Sequence, residues 1–325
     1  MHPGSRSHTG ALLLAVAAAL IFSGCGTERE PSRGTRRSAA EPPRIALIMK
    51  SLANEFFVTM AEGAKAHQAA NSGTYTLLVN GIRNESDLAQ QVALVEQMMA
   101  QGVDAIVIAP ADSRALVPVL GKALRRKIVV VNIDNKLDES TLQQVGIDIP
   151  FVGPDNRAGA RTVGATLAKR LQRTDKVAIL EGIPTAFNAH QRRLGFEDSM
   201  RGAGIDVVAV QSAHWEQDEA NTVAAAILRE HPDLKAILAS NDNMALGAAT
   251  AVRQADKTGQ VYVVGFDNIP AVHQLLQDGR VLATADQHAD RLAVYGIEYA
   301  LKILRGETQP HDTQTPVDLI TTAPH

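Results

Sequence analysis

The chain has 325 residues, 45% of them hydrophobic, and its 32 basic and 35 acidic side chains leave a formal net charge of -3. Such a balance lacks the concentrated basic face that nucleic acid requires, so no nucleic-acid partner is expected. Beyond a short leader, about 280 residues are left for folding, which suits two medium domains or one large one.

The first 25 residues have the pattern of an export signal. Residues 1–10 carry Arg6 and no acid, residues 11–22 are apolar, and Ser23 and Gly24 precede Cys25, the only cysteine of the chain. Twelve apolar residues are too few to span a membrane. We predict a signal peptide over residues 1–24 and, because the cysteine environment resembles a bacterial lipobox, lipid attachment at Cys25. An ordinary cleaved signal with an incidental thiol is the alternative.

Residues 25–43 are predicted to form a lipidated tether. Their arginines are interleaved with Glu, Pro, Ser and Gly, a mixture too polar to bury a core. Contact of these arginines with anionic lipid is a second interpretation. The expected location is therefore outside the cytoplasm, in the periplasm or at the cell surface, with the protein anchored to the membrane.

From residue 45 onward, short aliphatic or β-branched runs alternate with amphipathic helical stretches. Strands are predicted at residues 45–49, 75–79, 105–108, 128–133, 176–180, 207–211, 236–239 and 262–265. The helices with the clearest pattern are predicted at residues 56–70, 85–101 and 289–304. This alternation predicts an α/β fold with parallel sheets covered by helices on both faces.

The alternation divides into two series. Breaks in the pattern fall near residues 151–155, 285–289 and 313–316, where strand-like runs meet Gly, Pro or polar residues. Three crossings between two lobes would return the last long helix to the first lobe.

Parallel sheets bind ligands beyond the carboxyl ends of their strands. The segments just after the predicted strands are rich in Asn, Asp, Arg and aromatic residues, although the chain has only four Tyr, one Trp and seven Phe. A sugar ring needs aromatic planes for its C–H face and a mixture of donors and acceptors for its hydroxyls. The candidate ligand-binding residues are Lys50, Asn54, Phe56, Phe57, Asp134, Arg192, Trp215, Asn241, Asp267 and Gln287.

Structural roles compete with this interpretation. Asn54 and Asn241 could each merely cap the helix that follows. Phe57 could be plain core. One of Arg192 and Arg193 is expected to face solvent, and spacing does not decide which.

The chain resembles the bacterial periplasmic sugar-binding proteins of the ribose, allose and galactose group, from Arg44 to about Thr321. The segments that carry the resemblance are Lys-Ser-Leu-Ala-Asn-Glu-Phe-Phe (50–57), Ala-Pro-Ala-Asp-Ser (109–113), Val-Asn-Ile-Asp-Asn-Lys-Leu-Asp (131–138), Phe-Val-Gly-Pro-Asp-Asn (151–156), Arg-Arg-Leu-Gly-Phe (192–196), Ser-Asn-Asp-Asn-Met-Ala-Leu-Gly (240–247) and Val-Val-Gly-Phe-Asp (263–267). Lys50 is typical of the allose-binding type, because ribose-binding members carry a small hydroxyl residue there. Departures from the group's pattern lie at Glu55, Asn135 and Pro154.

The resemblance implies a type I periplasmic binding protein fold: two Rossmann-like lobes joined by a three-stranded hinge. The expected lobes are residues 44–153 with 288–314, and residues 154–287 with 315–325. It also implies a monomeric substrate-binding lipoprotein of an ABC importer, which closes over one monosaccharide, uses no cofactor or metal, and presents a surface of both lobes to the permease subunits. The candidate ligand-binding residues fall on sugar-contacting positions of the group.

Other function classes are less consistent with the sequence. It lacks the Gly-x-Ser-x-Gly, Walker, Gly-x-Gly-x-x-Gly and His-Glu-x-x-His patterns of common enzymes, and no enzyme activity is expected. His190, His214 and His288 are interpreted as rim residues rather than metal ligands. A lac-type repressor core shares the fold but needs a helix-turn-helix where the leader stands. A receptor feeding a chemoreceptor or sensor kinase, or a binder of an autoinducer-type furanose, is the alternative.

Overall fold

The structure of the protein, a computed structural model, describes residues 41–321. The predicted signal peptide, Cys25 and all but the last residues of the predicted tether lie outside the described residues. Between residues 41 and 321, no helix has both the length and the apolar content needed to cross a membrane.

Strands and helices alternate through the described part of the chain. Its strands are β1 (Arg44–Ser51), β2 (Thr76–Ile82), β3 (Ala105–Ile108), β4 (Val129–Ile133), β5 (Phe151–Pro154), β6 (Lys176–Glu181), β7 (Asp206–Ser212), β8 (Leu234–Ala239), β9 (Tyr262–Val264), β10 (Ala283–Asp286), β11 (Thr313–Thr315) and β12 (Asp318–Thr321). Its helices are α1 (Glu55–Ala70), α2 (Leu88–Ala100), α3 (Val117–Arg125), α4 (Glu139–Val145), α5 (Asn156–Ala168), α6 (Phe187–Ala203), α7 (Gln217–Glu230), α8 (Asp242–Gln254), α9 (Pro270–Gln277) and α10 (Ala289–Leu304).

The strands form two six-stranded sheets of the same design. Their orders are β2-β1-β3-β4-β5-β11 and β7-β6-β8-β9-β10-β12. The strands pair in parallel except β10 and β12, which are antiparallel. Parallel neighbours require a crossover connection, and helices provide it. The predicted α/β class with two Rossmann-like lobes is therefore confirmed.

Strand β1 shows why the strands are almost continuously apolar. Ile45, Leu47 and Met49 pack in a cluster with residues of α1 and α10 on one face of the sheet. Ala46 and Ile48 pack on the other face, in a cluster with residues of α2 and α3. All five are fully buried. A strand covered on both faces has no polar side, so its sequence reads as an apolar run rather than an alternation.

The chain crosses between the sheets three times: after β5, after β10 and after β11. Helix α10 packs against α1, β3 and β4, which are elements of the first lobe. A Cβ atom on Gly63 of α1 would lie 2.0 Å from the backbone oxygen of Asp290, so the close approach of these two helices requires glycine. The exact residues that divide the lobes, given above from the resemblance, stay predictions.

Several element ends differ from the sequence-based expectation by one to three residues; for example, the strand predicted at residues 75–79 spans Thr76–Ile82. The helix predicted to begin at residue 85 begins at Leu88, because Asp87 caps it by accepting a hydrogen bond from the Gln90 N–H at 3.1 Å. Glu85 therefore lies in the preceding turn, where it is buried. The second sheet is not wholly parallel, since the chain enters β12 directly from β11 instead of through a helical crossover.

Candidate functional site

Residues at or near the carboxyl ends of strands of both sheets surround one cavity. Its lining residues are Lys50, Asn54, Phe56, Phe57, Glu85, Asp134, Asn188, Arg192, Trp215, Asn241, Asp267 and Gln287. The structure thus brings all ten sequence-predicted candidates together and adds Glu85 and Asn188. Their role in ligand binding stays a prediction.

Lys50 and Asp134 form a buried ion pair on the first lobe. Lys50 is the second-last residue of β1 and Asp134 follows β4. The Lys50 Nζ to Asp134 Oδ2 distance is 3.1 Å, and the side chains are 4% and 2% exposed. The Lys50 ammonium also lies 5.5 Å from the ring centre of Phe57 and 5.7 Å from that of Trp215. Asp134 has a positive φ of 62°, in the left-handed region that non-glycine residues occupy uncommonly and that aspartate tolerates better than most.

Arg192 and Asp267 form the second ion pair, on the other lobe. The Arg192 Nη1 to Asp267 Oδ1 distance is 3.2 Å, and Gln287 Nε2 donates to the same oxygen at 2.7 Å. Burial raises the pKa of the Asp267 carboxyl, and the Arg192 guanidinium opposes that shift. Asp267 is thus a carboxyl in a poorly solvated place, where burial favours its neutral form and the Arg192 guanidinium favours its charged form.

Arg192 is itself held by fixed neighbours. Its Nε donates to Asn156 Oδ1 at 2.8 Å and its Nη1 to the Ser240 carbonyl at 2.9 Å. Its guanidinium lies 3.8 Å from the ring centre of Phe266. Arg192 is 2% exposed, whereas the Arg193 side chain is 30% exposed and pairs with acidic residues of its own lobe. Of the two arginines, only Arg192 faces the cavity.

Asn54 and Asn241 each cap a helix and also line the cavity, the two roles that the sequence left open. Asn54 Oδ1 accepts from the Phe56 N–H at 3.0 Å and so caps α1, and Asn241 Oδ1 caps α8 by accepting from the Met244 N–H at 2.9 Å. In each case the cap uses the carbonyl oxygen, which leaves the amide NH₂ directed elsewhere. Asn54 Nδ2 donates to Glu85 Oε1 at 3.0 Å.

Aromatic rings form the apolar part of the wall. Phe56 and Phe57 meet edge to face, with ring centres 5.1 Å apart. Both are almost fully buried, so the core role and the lining role of Phe57 coexist. The Trp215 indole packs over Gly182, where a Cβ atom would lie 2.1 Å from the ring. Trp215 also has a positive φ of 72°.

Several buried polar atoms of the wall have no hydrogen-bond partner among the described residues. They are Glu85 Oε2, Asn188 Oδ1, Gln287 Oε1 and Trp215 Nε1. The first three are acceptors and the last is a donor. Buried polar atoms are normally paired, so a wall of this kind suits a small molecule with hydroxyl groups, which can both donate and accept.

Sequence reasoning missed Glu85 and Asn188 for different reasons. Glu85 follows β2, but the sequence pattern predicts a helix from residue 85, so Glu85 does not stand out as a residue of the turn after a strand. Asn188 lies in the segment that follows β6, four residues before Arg192 on α6, so both lie on one face of that helix. The turn after every strand, and this helical spacing, were the signals available.

The three histidines noted in the sequence lie outside the cavity lining. His214 Nδ1 lies 2.8 Å from Glu219 Oε1, and His288 Nε2 lies 2.9 Å from Asp318 Oδ2. In residues 41–321, no three His, Cys, Asp or Glu side chains are grouped so that they could hold a metal ion.

Hydrogen bonds connect the two lobes around the cavity. The Phe187 N–H donates to Ser113 Oγ at 2.9 Å, and the Asn188 N–H donates to Asn135 Oδ1 at 3.2 Å. At another edge, Glu55 Oε2 accepts from the Ala271 N–H at 3.0 Å. The structure is therefore a closed conformation, in which few lining groups reach solvent.

Residues 45–308 match the family model described as a periplasmic binding protein domain. A D-ribose/D-allose-binding protein of Pseudomonas aeruginosa is 55% identical over 308 residues, which cover 94% of this chain and 96% of the relative.

Two solved structures of solute-binding proteins of ABC transporters are also similar. One, from Burkholderia multivorans with an unknown ligand interpreted as alpha-D-erythrofuranose, is 55% identical with a TM-score of 0.84 and covers 86% of this chain and 99% of its own. Another, from Actinobacillus succinogenes with bound D-allose, is 36% identical with a TM-score of 0.82 and covers 86% of this chain and 98% of its own. Fold, family model and relatives agree with the resemblance seen in the sequence, and the chain belongs to the periplasmic binding protein family.

Proposed function

We propose that this protein captures one monosaccharide of the allose or ribose type between its two lobes and delivers it to an ABC import permease. The observation that carries the proposal is the cavity wall. It combines two buried ion pairs, three aromatic rings and buried polar atoms without partners among the described residues. The names of similar proteins, a D-ribose/D-allose-binding protein and a solute-binding protein with bound D-allose, support the same substrate class.

The chemistry of the wall matches that of a sugar. Each hydroxyl donates once and accepts twice, so a ring of hydroxyls is best met by alternating acceptor-only and donor-only groups. Asp134 and Asp267 provide acceptors, while Lys50 and Arg192 provide donors. The Trp215, Phe56 and Phe57 rings offer planes for the C–H face of the sugar.

Closure over the ligand links binding to transport. The lining residues come from both lobes, so a sugar that contacts both sides favours the closed state over an open one. The closed pair of lobes then offers a single composite surface that a permease can distinguish from the open form. In this proposal the protein acts as a monomer, and capture involves no catalytic step.

Lys50 supports the allose type within this class. Its ammonium is held by Asp134 and lies between Phe57 and Trp215. A small hydroxyl residue at this position would leave more space and fewer donors, which suits a smaller pentose. We therefore propose D-allose as the preferred ligand, with D-ribose as the second candidate. The furanose assigned in the Burkholderia multivorans structure makes five-membered rings the third class to test.

We also propose that Cys25 carries a lipid anchor that holds the protein at the outer side of a membrane. Metabolic labelling with an alkyne fatty acid, followed by detection on the purified chain, tests this proposal. Label on the natural chain and none on Cys25→Ala supports the anchor; equal absence of label from both rejects it.

A thermal-shift screen tests the function. The purified protein is heated with pentoses, hexoses, sugar alcohols and autoinducer-type furanoses, because a ligand that binds only the folded state raises the melting temperature by mass action. A large shift with D-allose supports the proposal together with the Lys50 argument. A shift with only D-ribose or only a furanose would keep the class and reject the subtype, and no shift with any sugar would reject monosaccharide binding.

A further inference from the structure

Glu85 is a buried carboxyl in the cavity wall that the ion-pair chemistry of the site does not use. It lies in the turn between β2 and α2, is 3% exposed and lines the cavity beside Lys50 and Asn54. The wall has two cations, Lys50 and Arg192, and each already has its own carboxylate partner. Glu85 is thus the third buried acid of the wall, and unlike Asp134 and Asp267 it has no cation of its own.

The orientation of the Glu85 carboxyl is fixed by the cap of α1. Asn54 Oδ1 accepts from the Phe56 N–H, so its NH₂ must be the group that donates to Glu85 Oε1 at 3.0 Å. This contact holds one oxygen of Glu85 as an acceptor. The other oxygen, Oε2, is buried and has no partner among the described residues. Burial also raises the pKa of Glu85 to about 7, against the lowering effect of Lys50.

Resting on the monosaccharide-binding function, we propose that Glu85 is a specificity-determining residue that accepts a hydrogen bond from one hydroxyl of the bound sugar through Oε2. Two donors belong to the same cavity wall: the Lys50 ammonium, whose charge acts on Glu85, and the second N–H of Asn54, whose NH₂ already contacts Glu85. A hydroxyl that accepts from one of these donors has its own proton free to give to Glu85. A site built in this way rejects a sugar that lacks that hydroxyl, because the buried carboxyl is then left unpaired.

A ligand series crossed with protein variants tests the proposal. Calorimetric titration measures the dissociation constants of D-allose and of each of its single-deoxy analogues, and D-ribose with its deoxy series replaces them if only D-ribose binds. The proteins are the natural chain, Glu85→Ala and Glu85→Gln. Glu216→Gln is the matched control: Glu216 is exposed and acts on Glu85 only through its charge, without lining the cavity.

In the natural chain, one analogue should bind about 10- to 100-fold more weakly than the parent sugar, the loss expected when a buried polar group is left without its hydrogen-bond partner. In Glu85→Ala that analogue and the parent should bind within threefold of each other, while the penalties of the other analogues persist. Glu216→Gln should keep every penalty.

The outcomes separate this inference from the function on which it rests. If the natural chain binds no sugar of either series, monosaccharide binding itself is rejected. If it binds and the pattern of deoxy penalties is the same in the natural chain and in Glu85→Ala, Glu85 does not read a hydroxyl. If Glu85→Ala fails to fold, Glu85→Gln tests the proposal instead, since its amide keeps the shape of the carboxyl. If every deoxy analogue loses as much affinity in Glu85→Gln as in the natural chain, the proposal is overturned. A smaller loss of affinity for the analogue that lacks one particular hydroxyl would support it.

Discussion

Replacement of Arg192 by alanine tests the charge arrangement of the cavity most directly. The guanidinium donates to Asn156, to the Ser240 carbonyl and to Asp267, and it packs on the Phe266 ring. All of these contacts are lost together in Arg192→Ala. The most serious consequence is that Asp267 becomes a buried carboxylate without its cation.

The size of the effect follows from that burial. Breaking a buried ion pair by removing one partner costs about 3–5 kcal/mol of unfolding free energy. Sugar affinity should fall by about 2–4 kcal/mol, or about 30- to 700-fold, because polar groups of the closed site are left unpaired. Arg192→Lys should recover only part of the loss, since one ammonium cannot reproduce the planar fork that reaches two acceptors at once.

Arg193→Ala is the matched control, an adjacent arginine on the same helix. Its side chain is 30% exposed and pairs with Glu181 at 3.2 Å and Glu197 at 3.5 Å, away from the cavity lining. Partly exposed pairs contribute about 0–1 kcal/mol, so affinity should change by less than about threefold. Calorimetric titration gives the affinity, and thermal unfolding without sugar gives the stability.

The same measurements extend to the carboxylates. Asp134→Ala and Asp267→Ala should each weaken sugar binding by about 2–4 kcal/mol, since each removes the partner of a buried cation. If Arg192→Ala, Asp134→Ala and Asp267→Ala all change affinity by less than threefold, the assignment of this cavity as the sugar site is refuted. Equal losses in Arg192→Ala and Arg193→Ala would show instead that the effect comes from net charge rather than from contact.

Two further predictions concern the cavity wall and its acids. Gly182→Ala should weaken sugar binding by at least about tenfold, because the new Cβ would lie 2.1 Å from the Trp215 ring and must displace it. Gly202→Ala, where the new Cβ meets open space, is the control and should bind sugar normally. Fluorescence of Trp215, the only tryptophan, measures sugar binding by both variants. The sugar-free protein should lose stability as pH rises from about 4.5 to about 7. Burial raises the pKa of Glu85 from 4.5 to about 7, so in this range the folded state holds a proton that the unfolded state has released. The loss of unfolding free energy is up to about 3 kcal/mol, and it would be contradicted if the melting temperature of Glu85→Gln changed with pH in parallel with that of the natural chain.

Much of the fold could be predicted because it depends on local patterns. A run such as residues 45–49 is apolar throughout, which is the signature of a strand covered on both faces, and the structure places it in β1 between two layers of helices. The bounds of α10 and β3 agree with the prediction residue for residue. Element ends that depend on a cap were less predictable: α2 begins at Leu88 because Asp87, rather than an earlier residue, makes the capping hydrogen bond.

Most residues that line the cavity could be predicted from the sequence, but the hydrogen bonds and ion pairs among them could not. Polar and aromatic residues after strands were expected to meet, because the carboxyl ends of parallel strands lie at one edge of a sheet. Whether Asn54 was a cap or a lining residue could not be decided from the sequence, and the structure shows that its oxygen makes the cap while its NH₂ contacts Glu85. An asparagine side chain carries a carbonyl oxygen and an NH₂ group, so it can cap a helix with one and face the cavity with the other.

By itself, the sequence determined the alternation of strands and helices, the division into two series and ten of the twelve residues that line the cavity. Tertiary structure alone decided that Lys50 pairs with Asp134 and Arg192 with Asp267, that Arg192 rather than Arg193 turns inward, and that Glu85 joins the wall. The physical reason is the distance along the chain over which each kind of interaction acts. Periodicity and capping act over a few residues, whereas these contacts join residues far apart in the chain and depend on the strand order of each sheet and on closure of the two lobes.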